Sequence, residues 1–455
     1  MAPRTDISAP ARRTVAVIGG GFSGLLTAIH LLQGDRDLVV RLVERAPRFG
    51  RGRAYAASQA DHLLNVRAAN MSAFPDQPGH FVEWLRAEGE AAGPDAFVSR
   101  ARYGDYLQAL LREEIVDPCA AGRLLLEADE AVALTPQRGR WRVELALGRG
   151  FEADACVLAV GLLPPAPPPG ADETVAEAPT YVAEPWRLDP ATAPDGHVLL
   201  LGSGLTMVDV ALSLAGSGRR LLAVSRHGLI SRAHGAVGPA LAPRGGFETA
   251  SAALRTLRDH ASVVGWREAV DSIRPMTVSV WRNWPAAERR RFLRHARPWW
   301  DVHRHRMAPA VAAKVSALAA TGELTVAAGK LEHLTWDGEA FHARIRGRGE
   351  AKAHDWRFDL VVNCTGPRGD PATATSGLLA ELRRSGLLRR DPLGLGLDVT
   401  DDLRVVGAAG RPTPGLFAVG PMTRAAVWEA LAVPDLRSQT AQVARAVLAT
   451  LPEPV

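Results

Sequence analysis

Two stretches of the 455-residue chain place glycines where a phosphate group could be held. In VAVIGGGFSGLLTAIHLL at 15–32, Gly19, Gly21 and Gly24 form G-x-G-x-x-G between an apolar strand-like run and an apolar helical pattern. The first glycine permits the tight turn, the second lets backbone approach a pyrophosphate, and the third allows close helix-to-strand packing. The helix opening at Phe22 and Ser23 would aim unsatisfied N–H groups, and the positive end of its dipole, at the anion. Glu44, with Arg45 beside it, ends the next strand pattern, where a carboxylate can accept hydrogen bonds from a ribose 2′-OH. Glycines alone would be weak evidence; strand, glycines, helix and carboxylate together specify dinucleotide binding.

The second stretch, VLLLGSGLTMVDVALSL at 198–214, offers Gly202, Ser203, Gly204 and Thr206, but Met207 replaces the third glycine. Its helix should therefore stand further from its strand. No acid closes the following strand; Ser225, Arg226 and His227 stand there instead. A carboxylate repels a 2′-phosphate and a guanidinium clasps it, so this half is expected to take NADPH in preference to NADH. The plainer alternative is that Arg226 decorates a solvated strand end. With Glu44 matched to an unmodified ribose, the pair reads as FAD held by the first cradle and NADPH arriving at the second as hydride donor.

Such cradles need parallel sheets to position them, and the order of elements repeats accordingly. In the first half a glycine turn and helix are followed by a second strand, helical stretches such as RYGDYLQALLREE at 102–114, a meander through EAVALT and RWRVELAL, and ADACVLAVG at 153–161. The second half replays this with LLAVSR, helical material, LEHLTW, AFHARIRG and DLVVNCTG at 359–366. LLPPAPPPG at 162–170 separates the copies, and its prolines exclude helix. GLFAVGPM at 415–422 and a last helical pattern return to the first copy. The expected fold is α/β, with two Rossmann-like dinucleotide-binding domains (FAD and NADPH), each with a β-meander, plus a helical insert. Residues 1–165 and 361–455 would form the FAD-binding domain, and 166–360 the NAD(P)H-binding domain with an insert at about 230–310.

Composition narrows the class. Cys119, Cys156 and Cys364 are odd in number, widely spaced and never C-x-x-C, which argues against a redox disulfide or a zinc site and for a reducing compartment. MAPRTDISAPARR runs into a strand without an apolar core of its own, and no apolar run reaches about 18 residues. These features give a cytoplasmic expectation without a membrane helix. Much of the +5 net charge lies in RNWPAAERRRFLRHARPWWDVHRHR at 282–306. Trp281, Trp284, Phe292, Ala296 and Trp299 recur there at helical spacing, which favours an amphipathic insert over a nucleic-acid surface.

Taken together, the chain resembles the two-dinucleotide-binding-domain flavoproteins, the superfamily of flavin-containing monooxygenases, N-hydroxylating monooxygenases and pyridine-nucleotide disulfide reductases. VLAVG and VVNCTG, ending at Gly161 and Gly366, look like its strand-to-glycine crossover motifs, and GLFAVG like its C-terminal FAD motif. FGRGRAY, HLLNVRAANMSAFPDQPGHFVEWL, RYGDYL, GSGLTMVD, SRHGLISRAH, WWDVHRHRMAP and VWEALAVPDLRSQ resemble, nearly end to end, bacterial FAD/NAD(P)-binding proteins close to the N-hydroxylating enzymes.

The resemblance implies that Gly50, Arg51, Gly52 and Arg53 lie near the flavin ring and that Asn65 lies near the ring or the nicotinamide, making Arg53 and Asn65 the catalytic candidates. It implies a Gly-Asp pair where Gly420 and Pro421 stand, so a ribityl hydrogen bond would need another source. A helix starting at Val433, with Pro434 in its first turn, would point at flavin N1 and the C2 carbonyl and stabilise the charge of reduced flavin. The implied activity is a monooxygenase using NADPH, FAD and dioxygen, through a C4a-hydroperoxide, to hydroxylate the nitrogen of a small-molecule amine. A reductase without a stable peroxyflavin, and a non-catalytic flavoprotein scaffold or redox sensor, are the alternatives. His80, Trp84, Trp299, His303 and His305 are further pocket candidates, each with an ordinary structural explanation as core or solvated helix.

Overall fold

The structure, a computed structural model, describes residues 12–56, 62–116, 122–216, 218–236, 238 and 241–453. Cys119 and most of the N-terminal stretch considered above lie outside the described residues.

The first half begins with β1 (Thr14–Ile18), α1 (Phe22–Gly34) and β2 (Val39–Val43), then α2 (His80–Ala87) and α3 (Arg100–Val116). β3 (Leu124–Glu127) precedes the meander β4 (Ala131–Gln137), β5 (Arg140–Leu145) and β6 (Gly150–Ala153), which ends at β7 (Ala155–Leu158). β1 and β7 are apolar at nearly every position because both their faces are covered, the habit of central parallel strands.

Past the proline-rich segment come α4 (Thr174–Glu177), β8 (Tyr181–Val182), β9 (His197–Leu201), α5 (Leu205–Leu214) and β10 (Arg220–Ser225). Helices α6 (Ala250–Val264), α7 (Trp266–Ser272), α8 (Thr277–Asn283), α9 (Ala286–His295) and α10 (Arg297–Arg304) form the insert, followed by α11 (Pro309–Ala320). β11 (Leu324–Trp336), β12 (Phe341–Gly347), β13 (His354–Phe358) and β14 (Leu360–Asn363) complete the second half. The chain closes with α12 (Gly377–Arg384), β15 (Arg404–Val406), β16 (Pro412–Ala418) and α13 (Val433–Leu448).

Two large sheets result. One has the order β15-β16-β7-β1-β2-β3, and the other β13-β12-β11-β10-β9-β14-β8, with β4-β5-β6 as a separate three-stranded sheet. β16 pairs in parallel with β7, and α13 shares the core of α1 through residues such as Leu25, Leu32, Val443 and Val447, so the last segment does return to the first sheet. The meanders differ. The first is detached, whereas β11 continues out of the parallel sheet, bends at a bulge near Leu331, and carries β12 and β13 antiparallel to itself.

The insert is helical, as the spacing predicts, but it is divided into several helices. Pro285 caps α9 and Pro298 sits in the first turn of α10, so prolines divide the basic stretch into short helices. Trp281, Trp284 and Phe292 are buried as expected, together with Trp428 from the last segment. Trp299 is 48% exposed, and Trp300 turns towards Phe292 instead. Trp281 stacks on Trp428 at 4.5 Å, and its Nε1–H donates to the Ala425 carbonyl at 2.7 Å. Trp281→Phe keeps the stacking and orphans that carbonyl. It should cost about 1 to 2 kcal/mol, read as a lowered urea midpoint.

Candidate functional site

The first cradle lies between β1 and α1. Gly19 has φ 108°, and a Cβ there would collide with the Ala159 carbonyl just beyond β7. A Cβ on Gly24 would collide with the Gly19 carbonyl, so the helix sits on its strand as closely as backbone allows. Gly21 is the N-cap, in extended conformation; no side chain caps the helix and no acid occupies its first turn. Its first amides are thus left by the side chains for an anion, which fits a pyrophosphate. Phe22 and Ser23 are buried at this corner.

Glu44 follows directly on β2, with one carboxylate oxygen accepting the Gly20 N–H at 2.8 Å and the other accepting the Ala46 N–H at 3.1 Å. The carboxylate is therefore fixed beside the glycine turn. Arg45 points away, towards Glu130 at 3.9 Å. The Gly50 N–H donates to the Gly20 carbonyl at 2.6 Å, and a Cβ on Gly21 would lie 3.5 Å from Gly52 Cα. The 50–53 turn thus lies against the cradle, with Gly50 and Gly52 both at positive φ. Arg51 pairs with Asp105, and Arg53 reaches Glu184 at 3.2 Å, in the segment leading to β9. A cleft of about 280 Å³ lined by Pro47, Arg48, Arg51, Ala56 and Gln108 opens beside this turn.

The second cradle repeats the geometry between β9 and α5. Gly202 has φ 112°, and its Cβ would lie 2.5 Å from the Cys364 carbonyl, just as Gly19 meets Ala159. Gly204 caps α5 in extended conformation, again with no side-chain cap and no acid in the first turn, and a Cβ there would meet open space. Met207 is fully buried among Val198 and Leu200. Thr206 is half-buried in the first turn. Ser203 Oγ lies 2.7 Å from Ser225 Oγ and 2.6 Å from the Leu229 carbonyl, tying the cradle to the end of β10.

Arg226 is exposed beyond β10. Next to it, His227 Nδ1 lies 2.9 Å from Arg348 Nη1, so the neutral ring accepts from the guanidinium. Desolvation, then the charges of Arg348 and Arg226, hold the His227 pKa down. Arg348 is absent from the sequence-based set. It arrives from the turn after β12, its N–H donating to the Ala328 carbonyl at 2.8 Å. Arg226, His227 and Arg348 therefore gather beyond β10, beside the second cradle.

Between the cradles the crossover segments beyond Gly161 and Gly366 run side by side: Leu163 and Arg368 exchange backbone hydrogen bonds of 2.9 and 3.0 Å. Both glycines have positive φ. The Asn65 carbonyl lies 3.0 Å from His234 Nε2, which joins the segment before α2 to the one after β10. Arg100 on α3 pairs with Asp209 on α5 at 2.8 Å, a second tie between the two sheets' helices. Burial, chiefly, lowers the His234 pKa to about 4, against 6.5 for the free side chain. Between those values the unfolded chain takes up a proton that the folded chain refuses. Stability should therefore fall as pH drops from about 6.5 to about 4, by about 2 to 3 kcal/mol from this group. Urea midpoints across that range should show a smaller decline in His234→Gln.

Gly420 turns at φ 91° and its N–H donates to Gln439 Oε1 at 2.8 Å. Gln439 Nε2 in turn donates to Thr423 Oγ1, and Thr423 Oγ1 to the Gly420 carbonyl. This buried network from α13 shapes the turn at Pro421, where relatives are expected to carry an acid; sequence reading missed Gln439 and Thr423. α13 begins at Val433, with Pro434 in its first turn and no side-chain cap, and Asp435 pairs with Arg274 of the insert at 2.9 Å.

The other pocket candidates do not converge here. His80 bonds the Tyr106 hydroxyl at 2.7 Å, and Trp84 stacks on Phe81 beneath Arg102, both in the packing of α2 on α3. His303 bonds the Trp299 carbonyl and rests on Trp266. His305 alone reaches the group around Asp301 and Arg424. Cys156 and Cys364 are free and buried, their thiol pKa values raised by burial. Among the described residues no side-chain cluster suits a metal ion, and no helix is long and apolar enough to cross a membrane.

Residues 16–163 match the model of an FAD-NAD(P)-binding family. The chain is 30% identical over 260 residues to an L-aspartate N-monooxygenase (nitrosuccinate-forming) of Streptomyces davaonensis, a match covering 46% of this chain and 39% of that protein. It is 27% identical over 238 residues to a nitrosuccinic acid synthase of Aspergillus oryzae, covering 45% and 36%. The match thus spans less than two fifths of these relatives' length. Among solved structures, L-lysine 6-monooxygenase from Pseudomonas syringae superposes with a TM-score of 0.68 at 17% identity, over 97% of this chain and 100% of that one. An ornithine N-hydroxylase from Kutzneria sp. 744 gives 0.62 at 16%, over 97% and 99%. At these identities the likeness shows the fold alone, an α/β arrangement shared with those structures.

Proposed function

We propose that the chain is an FAD-dependent, NADPH-using monooxygenase that hydroxylates the nitrogen of a small-molecule amine. The observation that carries this reading is the doubled cradle: two helix N-termini that no side chain caps, one beside Glu44 and the other beside Arg226 and Arg348. On this reading residues 1–165 and 361–455 hold FAD through Gly19, Gly21, Phe22, Ser23, Gly24 and Glu44, and residues 166–360 hold NADPH through Gly202, Ser203, Gly204, Thr206, Ser225, Arg226 and His227. Bound FAD would accept hydride from NADPH and pass the electrons to dioxygen. The chain's own work is alignment and exclusion of water. The ties Asn65–His234 and Arg100–Asp209 join the two halves, and the crossover segments pair with each other at Leu163 and Arg368. The Gly50–Arg53 turn and the start of α13 would flank the ring, the latter favouring negative charge at its pyrimidine end. The aspartate N-monooxygenase and lysine 6-monooxygenase likenesses support an amine as oxygen acceptor. Passage of electrons to a thiol pair is disfavoured, since the two cysteines among the described residues, Cys156 in β7 and Cys364 just beyond β14, are free and buried.

The test is spectroscopic and then chemical. Purified protein should be yellow, NADPH should bleach the flavin band without air, and admitting ¹⁸O₂ with a suitable amine should yield a product carrying one labelled oxygen by mass spectrometry. Hydrogen peroxide as the only product with every amine offered would leave an oxidase or reductase, and absence of bleaching would leave a scaffold.

A further inference from the structure

Two arginines elsewhere among the described residues, the buried Arg219 and the part-buried Arg289, are held by backbone carbonyls. Arg219 donates to the carbonyls of Pro194 and Ala193 at 2.9 and 2.7 Å, and Arg289 to those of Trp281, Trp284 and Arg282. Arg304 and Arg424, where the insert meets residues 421–437, are not. Arg304, 9% exposed at the end of α10, forms an ion pair through Nη2 with Glu429 at 3.0 Å but out of hydrogen-bond alignment, so its Nε and Nη2 have no hydrogen-bond partner. Arg424 lies over the Trp428 ring at 4.2 Å with its Nε unpartnered, its nearest carboxylate being Asp301 at 4.0 Å.

Around these two, Arg274 pairs with Asp435, Arg297 lies 3.2 Å from Asp301, and Arg437 spends one nitrogen on the Ser72 carbonyl while its Nε has no partner. His305 stays neutral, its pKa pushed down to about 3 by burial and then by Arg304, Arg424, Arg297 and Arg274. Five guanidiniums thus face three carboxylates, Asp301, Glu429 and Asp435; the buried Arg304 and Glu429 and the nearly buried Arg424 lie at the centre, while Arg297 and Asp301 pair at the part-exposed edge. Uncompensated buried charge of this kind is expensive, and the missing complement is anionic.

We propose that Arg304 and Arg424 form the carboxylate-binding subsite for the substrate, and that the substrate is an amine bearing two carboxylates. The amine part rests on the monooxygenase reading above; the carboxylate part rests on the cluster alone. The charge matches. An amine can attack an electrophilic oxygen only when unprotonated, and an amino dicarboxylate in that form is a dianion, equal to the positive excess. Planar guanidiniums also suit paired carboxylate oxygens, which an ammonium would replace only in part. The site lies beside Val433, the helix start assigned to the flavin's pyrimidine end, so a substrate anchored here is held next to the reacting ring.

The test is calorimetric titration of the flavin-loaded protein with succinate, L-aspartate, L-glutamate, cadaverine and inorganic phosphate. The dicarboxylates should bind and cadaverine should not. Arg304→Met and Arg424→Met should each weaken L-aspartate and succinate about 10- to 100-fold, and Arg304→Lys should recover part of the loss. Cadaverine binding as tightly as L-aspartate, or affinity unchanged in both Met variants, overturns the proposal. So does flavin released by Arg304→Met, which would give the arginines to the cofactor, and so does phosphate binding that excludes the dicarboxylates. If a Met variant does not fold, the wild-type comparison of succinate with cadaverine still decides. Dicarboxylate binding without any oxygenated product would retain the subsite and remove the monooxygenase reading; oxygenation of cationic amines without succinate binding would do the reverse.

Discussion

Gly21→Asp should purify without colour. Gly21 caps α1 in a conformation open to any residue, and its Cβ would rest 3.5 Å from Gly52 Cα, an ordinary contact, so the substitution is sterically tolerable. Aspartate is moreover among the best N-cap residues, and α1 lacks a side-chain cap, so the helix itself should gain up to about 1 kcal/mol. The same carboxylate would occupy the place of the pyrophosphate. Two like charges about 4 Å apart repel by about 4 kcal/mol at a surface-like dielectric, and the new side chain also takes amides the phosphates need. Flavin affinity should therefore fall by about three orders of magnitude or more. The visible spectrum of the purified protein and a flavin titration measure this, while far-ultraviolet dichroism and the urea midpoint report the preserved fold. A yellow Gly21→Asp protein would dissociate the first cradle from flavin binding. Gly24→Ala is not an equivalent test: its Cβ would strike the Gly19 carbonyl and disturb the fold as well as the cofactor.

That contrast shows why the cradles were legible in sequence. Gly19, Gly24 and Gly202 are required by contacts within one strand-turn-helix unit or with the neighbouring strand end, so short-range spacing encodes them. The crossover glycines and the proline at the start of α13 are local in the same sense. What the sequence hid is what distant segments bring together. Arg348 lies in a hairpin turn with no pattern to connect it to His227. Gln439 holds the Gly420 turn, and a glutamine in a helical pattern carries no sign of that task.

The insert is helical, as read, but its internal breaks do not follow from the aromatic spacing. Its aromatic spacing assumes one unbroken helix, and Pro285 and Pro298 reset the phase, so that Trp300 rather than Trp299 faces Phe292. Its arginines read as a solvated face, because net charge in a helix normally means water. Arg304 is buried because the whole insert folds onto residues 421–435 through Trp281, Trp428, Glu429 and Asp435. That is a tertiary event. The basic composition of 282–306 was evident; which of its charges would be withdrawn from solvent was not.

Removing Arg226 and Arg348 together should convert NADPH from the better coenzyme to one no better than NADH. Each guanidinium would contribute a charged hydrogen bond to a 2′-phosphate, worth about 1.5 to 3 kcal/mol, so Arg226→Ala alone should weaken NADPH roughly 10- to 150-fold and leave NADH unaffected. The double variant should lose about 3 to 6 kcal/mol if the two act independently, and less if one can cover for the other, as neighbours often do. The readout is the coenzyme concentration giving half-maximal flavin bleaching, measured without air. Equal losses for both coenzymes would place Arg226 outside the selecting group and return it to a solvated strand end. His227 supplies an internal check. Its pKa is held down partly by Arg348 and Arg226, so in the double variant it should rise towards the ordinary histidine value. A protonated His227 would then restore part of the lost NADPH affinity as pH falls below about 6.5, whereas NADH affinity should show no such gain. A recovery that favours NADPH alone can come only from a cation meeting the 2′-phosphate, because that group is the sole difference between the two coenzymes.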